Sequence, residues 1–462
     1  TSAHETAEPA EPGAGAVRRP NFLFLITDDQ RWDALGAVQR AQGDRARWPW
    51  LQTPNLDRLA AGGARFSNAF VVHSLCSPSR AAFLSGQYGH LCGVTDNSTH
   101  FPADAVNVAA LLSGAGYRTG YVGKYHMAFQ PDRPGFQYVA SYTSQGEYFG
   151  STFLIEGRPV KSNVWVDDAA TDYALEFIRD SRHEPWFLVV GFKSPHTPRQ
   201  PPRRADERFA GRSVRIAANA DATPSYGKGQ RAFKGEEVGR PVETDADSSG
   251  SDPYLLDYFE SIAAVDDNVG RVLDLLDELQ QAEDTVVVFA GDNGYYLGEH
   301  GLGDKRSAYE ESMRIPLLMR YPRKVPRETV IDAMALNIDM APTFLDLASL
   351  AIPDAMQGAS WMPLVFGDAS NWRKAFMFEY FFESGLPATP AMLALRTPTA
   401  KLIVYPGHEE WTELFDLAAD PYELANLAKT PERRGLLESL RRQLEEQKQR
   451  FGDPFASAAV RD

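Results

Sequence analysis

Cysteine is nearly absent: Cys76 and Cys92 are the only two in 462 residues. So few cannot build the disulfide framework of a small secreted domain, and they leave the redox compartment open. No run of about eighteen apolar residues occurs, which excludes a membrane-spanning helix. The chain contains no internal repeat. It also lacks an excess of positive charge, since 47 Lys and Arg face 62 Asp and Glu for a formal charge of −15. No net positive field would draw in a nucleic acid, so any anionic substrate must be held by local cations. The first twenty residues, TSAHETAEPAEPGAGAVRRP, have neither an initiator Met nor a hydrophobic signal core and read as a disordered leader. A chain opening this way reads as a processed product, so a periplasmic or secreted location is expected.

What is present describes a globular protein, 43% hydrophobic and 24% charged. The length allows up to about three domains, or one large α/β domain with an appendage. Short apolar runs at residues 21–27, 66–72, 118–122, 186–192, 285–290 and 315–320 read as strands buried on both faces. Helical patterns around residues 56–61, 79–84, 107–113, 169–180, 257–279 and 340–350 alternate with them. That order predicts an α/β fold with a large, mainly parallel (mixed) sheet sandwiched by helices, whose ligands sit beyond the strands' carboxyl ends. From Trp372 the pattern changes to four short segments, 375–381, 392–396, 401–405 and 413–417, separated by turns and followed by a polar helix over 431–450. These predict a smaller C-terminal antiparallel-sheet domain. The expected organisation is therefore a leader over 1–20, a large α/β domain over 21–371 and a C-terminal unit over 372–462. The Arg-, Gly-, Asp- and Ser-rich stretch from Gln200 to Asp252 reads as a long loop of the kind that covers functional sites.

The most informative stretch is CSPSRAAFLSG, residues 76–86. Cys76 follows an apolar run and precedes Ser77, a good helix cap, and Pro78, which fits a first helical turn. The side chain is thus expected at a strand-to-helix junction, where free backbone N–H groups and the guanidinium of Arg80 favour an anion. Two other readings compete, a buried structural thiol and a disulfide with Cys92. A core position, however, needs no cap, proline and arginine around it.

Asp28 and Asp29 follow the run NFLFLIT, and Asp292 and Asn293 follow TVVVFAG, so both pairs are expected at strand ends. Either pair alone reads as a turn. Together, three carboxylates and an amide oxygen form a hard-oxygen set suited to Ca²⁺, with ligand distances of roughly 2.3–2.6 Å. In GYRTGYVGKYHM, Lys124 and His126 lie two apart after a strand and share a face. In PWFLVVGFKSPHTP, His196 stands in a rigid turn after another strand, which favours a catalytic role over a plain turn.

Cys76, Pro78, Ser79, Arg80, Leu84, Ser85 and Gly86 resemble the signature by which sulfatases are recognised and their cysteine is oxidised to formylglycine. Gly116, Tyr117, Gly123, Lys124 and His126 resemble the second sulfatase signature, with Tyr125 where Trp is usual. The resemblance runs from residue 21 to about 430, including ELFDLAADPYELANL near the C-terminus. The chain is therefore identified as a member of the type I, formylglycine-dependent sulfatases of the alkaline phosphatase superfamily. DKRSAYEESMRIPLL and ALRTPTAKLIVYP are more like enzymes acting on sulfated saccharides than like simple arylsulfatases. The resemblance implies Ca²⁺ held by Asp28, Asp29, Asp292, Asn293 and the modified Cys76. It further implies a formylglycine-generating or anaerobic maturase as a partner in biosynthesis. The aldehyde hydrate would supply an oxygen nucleophile and a second hydroxyl to expel sulfate, which a thiol lacks. Lys124, Lys305 and Arg80 would neutralise charge, His126 would act as base, and His196 with Lys305 would protonate the leaving alcohol. Lys305 enters through the resemblance alone. The competing activities are an arylsulfatase, a phosphonate monoester hydrolase or phosphodiesterase of the same superfamily, and a catalytically silent sulfated-glycan-binding protein.

Overall fold

The computed structural model describes residues 19–227 and 253–456; residues 1–18 of the expected leader and 228–252 of the expected long loop lie outside them. Strand Asn21–Thr27 forms the centre because its seven residues, NFLFLIT, are apolar on both faces but for its ends, and all are buried. Phe22, Phe24 and Ile26 enter one core with residues of helices Cys76–Ser85, Val108–Gly114 and Met340–Leu347. Leu23 and Leu25 enter a second core with helices Pro54–Ala61, Val166–Asp180 and Pro253–Glu278. Alternate side chains of one strand thus feed opposite faces, which requires helices on both sides.

Ten strands form this sheet in the order Thr329–Ile331, Ala64–Phe66, Leu317–Arg320, Thr285–Gly291, Asn21–Thr27, Trp186–Gly191, Arg118–Lys124, Tyr138–Tyr142, Thr152–Ile155, Arg158–Lys161. Every neighbouring pair from Thr285–Gly291 to Tyr138–Tyr142 is parallel. Leu317–Arg320 runs antiparallel to both its neighbours, and the last two strands form an antiparallel hairpin. The mainly parallel, mixed sheet expected from the sequence is therefore present.

Four antiparallel strands, Phe376–Tyr380, Met392–Arg396, Ala400–Val404 and Glu413–Asp416, form the smaller sheet, in sequence order. Helix Arg434–Phe451 lies against it through Leu440 and Leu444. The same core takes in Phe70, Val72, Ala82 and Tyr309 from outside the small sheet, so the small sheet packs against the Cys76 helix.

One expected strand is corrected. Residues 66–72 do not form a single strand: Ala64–Phe66 belongs to the large sheet, and Ala69–Phe70 pairs with Ala335–Leu336 in a separate two-stranded sheet. The intervening Ser67 and Asn68 bind the Asp332 carboxylate and carbonyl respectively, which carries the chain from one sheet to the other. Strands Tyr138–Tyr142, Thr152–Ile155 and Arg158–Lys161 were not expected. The last is exposed at every position, so it has no apolar alternation to read.

Candidate active site

Parallel strands deliver the site. Asn21–Thr27 lies beside Thr285–Gly291 with Thr27 opposite Gly291, so Asp28 and Asp292 emerge as neighbours at the same sheet edge. The Asp292 N–H donates to Thr27 O at 2.9 Å and the Asp28 N–H to Ser194 O at 3.0 Å, which extends the ladder into the loops. Asp29 then adopts a left-handed backbone with φ 65°, a conformation that a short polar side chain tolerates. Its N–H donates to Asp292 Oδ1 at 3.0 Å. One oxygen from each of Asp28, Asp29 and Asp292 lies within 4.8 Å of the others, all in buried side chains.

Such a group needs positive charge. Arg80 Nε donates to Asp292 Oδ2 at 2.9 Å, its Nη2 to Asp28 Oδ2 at 3.3 Å and its Nη1 to Lys124 O at 2.8 Å. Lys124 Nζ contacts Asp28 Oδ2, and Lys305 Nζ donates to Asp29 Oδ1 at 2.5 Å. Burial pulls the Asp28 carboxyl upward, but the charges of Lys124, Arg80 and Lys305 outweigh it and hold it well below the ordinary range. Burial, reinforced by the Asp28 charge, pushes Asp292 up to about 6 and raises Asp29. Three carboxylates in one place remain short of compensation for all their charge.

A hard divalent cation fits this group. Asn293 Nδ2 donates to Asp29 Oδ1 at 2.7 Å and to Gly294 O at 2.8 Å, so its amide oxygen is turned away from both. That Oδ1 is buried without a hydrogen-bond partner. An orphaned amide oxygen beside three carboxylates is the donor set that Ca²⁺ takes.

Cys76 opens the helix Cys76–Ser85 rather than preceding it, and the position before it is Leu75, extended at φ −156°. Ser77 is therefore not the cap. Its hydroxyl donates instead to His126 O at 2.5 Å, and its N–H is taken by Asn97 Oδ1 at 3.0 Å. The Cys76 sulfur lies 3.5 Å from Asp28 Oδ1 and 3.0 Å from Lys305 Nζ. Burial and the Asp28 charge push its thiol up to about 12. Cys92 is a second free, buried thiol, so the two form no disulfide.

His126 and His196 flank this centre. His126 Nε2 lies 3.2 Å from Gln145 Nε2, and its Nδ1 is buried without a partner. His196 Nδ1 meets Thr197 O at 2.5 Å, and its Nε2 is 3.9 Å from Asp29 Oδ2. Burial and the nearby Lys124 charge hold both imidazoles well below their usual range, so both rest neutral. All of Asp28, Asp29, Cys76, Arg80, Lys124, His126, His196, Asp292, Asn293 and Lys305 thus come together. His300 joins a different buried group with Glu311 and Glu423, and Arg306 is paired to Asp304 and Glu383.

Two residues not singled out in the sequence also lie here. Gln145 contacts both Lys124 and His126 from the segment after strand Tyr138–Tyr142. Lys193 donates to Gln145 O at 3.1 Å and packs over the Tyr148 ring at 4.9 Å, and burial pushes its ammonium down to about 8. Lys193 stands in the same GFKSPH turn as His196, and that was its only signal. Gln145 sits in a loop without periodicity and carried none.

Comparison with known proteins places the chain in a family. The sulfatase family model matches residues 20–350. The chain belongs to the sulfatase family. This sulfatase also matches, over residues 298–450, the C-terminal family of N-sulphoglucosamine sulphohydrolase. It is 30% identical to an N-acetylglucosamine-6-O-sulfatase of Bacteroides thetaiotaomicron, covering 96% of this chain and 89% of that protein. It is 28% identical to the N-acetylglucosamine-6-sulfatase of Homo sapiens, covering 90% and 82% respectively. A solved structure in complex with its substrate, D-glucosamine-2-N,6-O-disulfate, superimposes with a TM-score of 0.84 at 29% identity, covering 95% of this chain and all of the other. Family membership makes the chain a sulfuric ester hydrolase, and no helix among the described residues is long and apolar enough to cross a membrane.

Proposed function

We propose that this sulfatase hydrolyses a 6-O-sulfate ester on a glucosamine residue of a sulfated saccharide, with Ca²⁺ and a formylglycine at position 76. The observation that carries the reading is the Cys76 sulfur, 3.5 Å from a carboxylate of the metal-suited group and 3.0 Å from Lys305. Its kinship with two named glucosamine-6-sulfatases and with a structure holding a glucosamine disulfate supports the choice of sugar.

A thiol raised to about 12 is almost wholly protonated at neutral pH and is a poor nucleophile as it stands. Oxidation to the aldehyde would supply a hydrated carbon with two hydroxyls at this position, one to attack sulfur and one to drive release. Bound to Asp28, Asp29, Asp292 and Asn293, Ca²⁺ would lower the hydroxyl's pKa and neutralise sulfate oxygens. Arg80 would keep Asp292 and Asp28 oriented through its hydrogen bonds from Nε and Nη2. Lys124 and Lys305 would bind the charge that builds on the sulfate oxygens. His196 carries its hydrogen at Nδ1, because Thr197 O can only accept, so Nε2 presents the lone pair. That nitrogen would take up a proton and deliver it to the leaving alcohol. A sugar alkoxide is strongly basic and needs this proton more than a phenolate does. Cys76 is fully buried, so a maturase partner would have to reach it before the chain folds.

Peptide mass spectrometry at position 76 tests the modification, with a loss of about 18 Da relative to cysteine expected. Rates on saccharides sulfated at the 6-O, 3-O or N position, and on aryl sulfate against aryl phosphate, test the substrate. An unmodified, fully active Cys76, or faster phosphate than sulfate hydrolysis, would overturn the reading.

A further inference from the structure

Gln145 bridges two residues of the centre whose side chains impose opposite demands on it. Lys124 Nζ donates to Gln145 Oε1, and Gln145 Nε2 lies 3.2 Å from His126 Nε2. An ammonium has hydrogens and no lone pair, so the amide must turn its oxygen to Lys124. Its NH₂ group then faces His126 Nε2, which can only be accommodated if that nitrogen carries a lone pair. A neutral imidazole has one hydrogen, and it must then be on Nδ1. The amide has little freedom to reverse, because reversal would set an NH₂ group against the ammonium. The segment is also anchored from the main chain, where Gln145 O accepts from Lys193 at 3.1 Å.

We propose that Gln145 is a positioning residue that locks His126 as the Nδ1–H tautomer, so that the nitrogen left free for the reacting group is a hydrogen-bond donor at rest. Nδ1 is buried and makes no hydrogen bond with any described residue, so it is the free valence of the ring. His126 can serve as a base at Nδ1 only after this tautomer inverts, which requires the Lys124–Gln145 contact to break. Departure of Lys124 toward a bound sulfate would supply that break, and it would couple substrate arrival to release of the base. The catalytic consequence rests on the sulfatase reading; the tautomer is a property of the resting protein.

The test is ¹⁵N NMR of the calcium-loaded enzyme with ring-labelled histidine, with His126 assigned by its loss in H126N. The expected spectrum has a protonated Nδ1 and an unprotonated Nε2. In Q145E both side-chain oxygens accept, so Lys124 keeps its partner while His126 Nε2 must become the donor, and the pattern inverts. A wild-type His126 protonated at Nε2, or a Q145E spectrum identical to wild type, would overturn the proposal. The wild-type spectrum decides this even if a variant fails to fold. The expected tautomer in an enzyme without sulfatase activity would sustain the inference and reject the functional reading instead.

Discussion

A lysine shared between a carboxylate and a buried thiol marks the centre of this molecule at the residue scale. Lys305 touches Asp29 and Cys76 at once, and its ammonium is held well above its usual range; burial opposes this, but the Asp29 and Asp28 charges prevail. It therefore stays charged through any working pH. Lys305→Ala should lower kcat by roughly 10²–10³, the scale of losing one group aimed at developing charge, as measured by steady-state rates on a sulfated saccharide. Asp292→Ala removes both a proposed calcium ligand and the partner of Arg80 Nε. Turnover should fall below detection, and titration calorimetry should find calcium affinity lost with it. Retained activity in this variant would count against the calcium assignment.

At the scale of elements, strand spacing sets where Lys124 can be. Gly123 and Gly191 are register partners on neighbouring strands. A Cβ built on Gly123 would lie 2.1 Å from Gly191 O, and one on Gly191 would lie 2.1 Å from Lys124 O. That Lys124 carbonyl accepts from Arg80 and from the Tyr121 hydroxyl, so the close approach of the two strands is tied to the arginine. Gly191→Ala should destabilise the fold by about 1–3 kcal/mol, the range for overpacking, and reduce activity in parallel, as read by denaturant melts and rates. A second link is His90, whose Nδ1 meets Glu379 Oε2 at 2.5 Å and whose Nε2 meets Phe451 O at 2.9 Å. Both partners only accept, so the doubly protonated ring satisfies both, and despite burial Glu379 raises its pKa. A group raised on folding contributes stability that is complete below its unfolded pKa, about 6.5, and is lost as pH rises through the folded value. His90→Leu should therefore destabilise the anchoring of helix Arg434–Phe451 by about 2 kcal/mol near pH 6 and by clearly less near pH 9. Equal losses at both pH values in thermal melts would refute a charged His90.

For the whole molecule, calcium bound to the native state alone should raise stability by about 2.7 kcal/mol at a hundredfold excess over its dissociation constant. Chelation should lower the melting temperature, and Asp292→Ala should erase the difference. That linkage is expected because residues 264 positions apart, Asp28 and Asp292, meet only in the folded sheet. Much was legible before folding was considered. NFLFLIT and TVVVFAG had to be buried strands, since seven-residue runs so largely apolar have no solvent-facing side, and polar pairs at their ends had to leave the core. The antiparallel C-terminal segments were legible because turn residues separate them at short intervals. Strand 66–72 was misread because a continuous apolar run hides a change of sheet that Ser67 and Asn68 make through Asp332. Gln145 was invisible because its role depends on two partners about twenty residues back, across a strand pairing. The sequence by itself determined which side chains stand at strand ends and which chemistry they carry. Only the tertiary structure decided that these ends are neighbours. Parallel strands are joined by long helical crossovers, so their order in the sheet, and with it every contact between loop tips, comes from packing rather than from any local pattern.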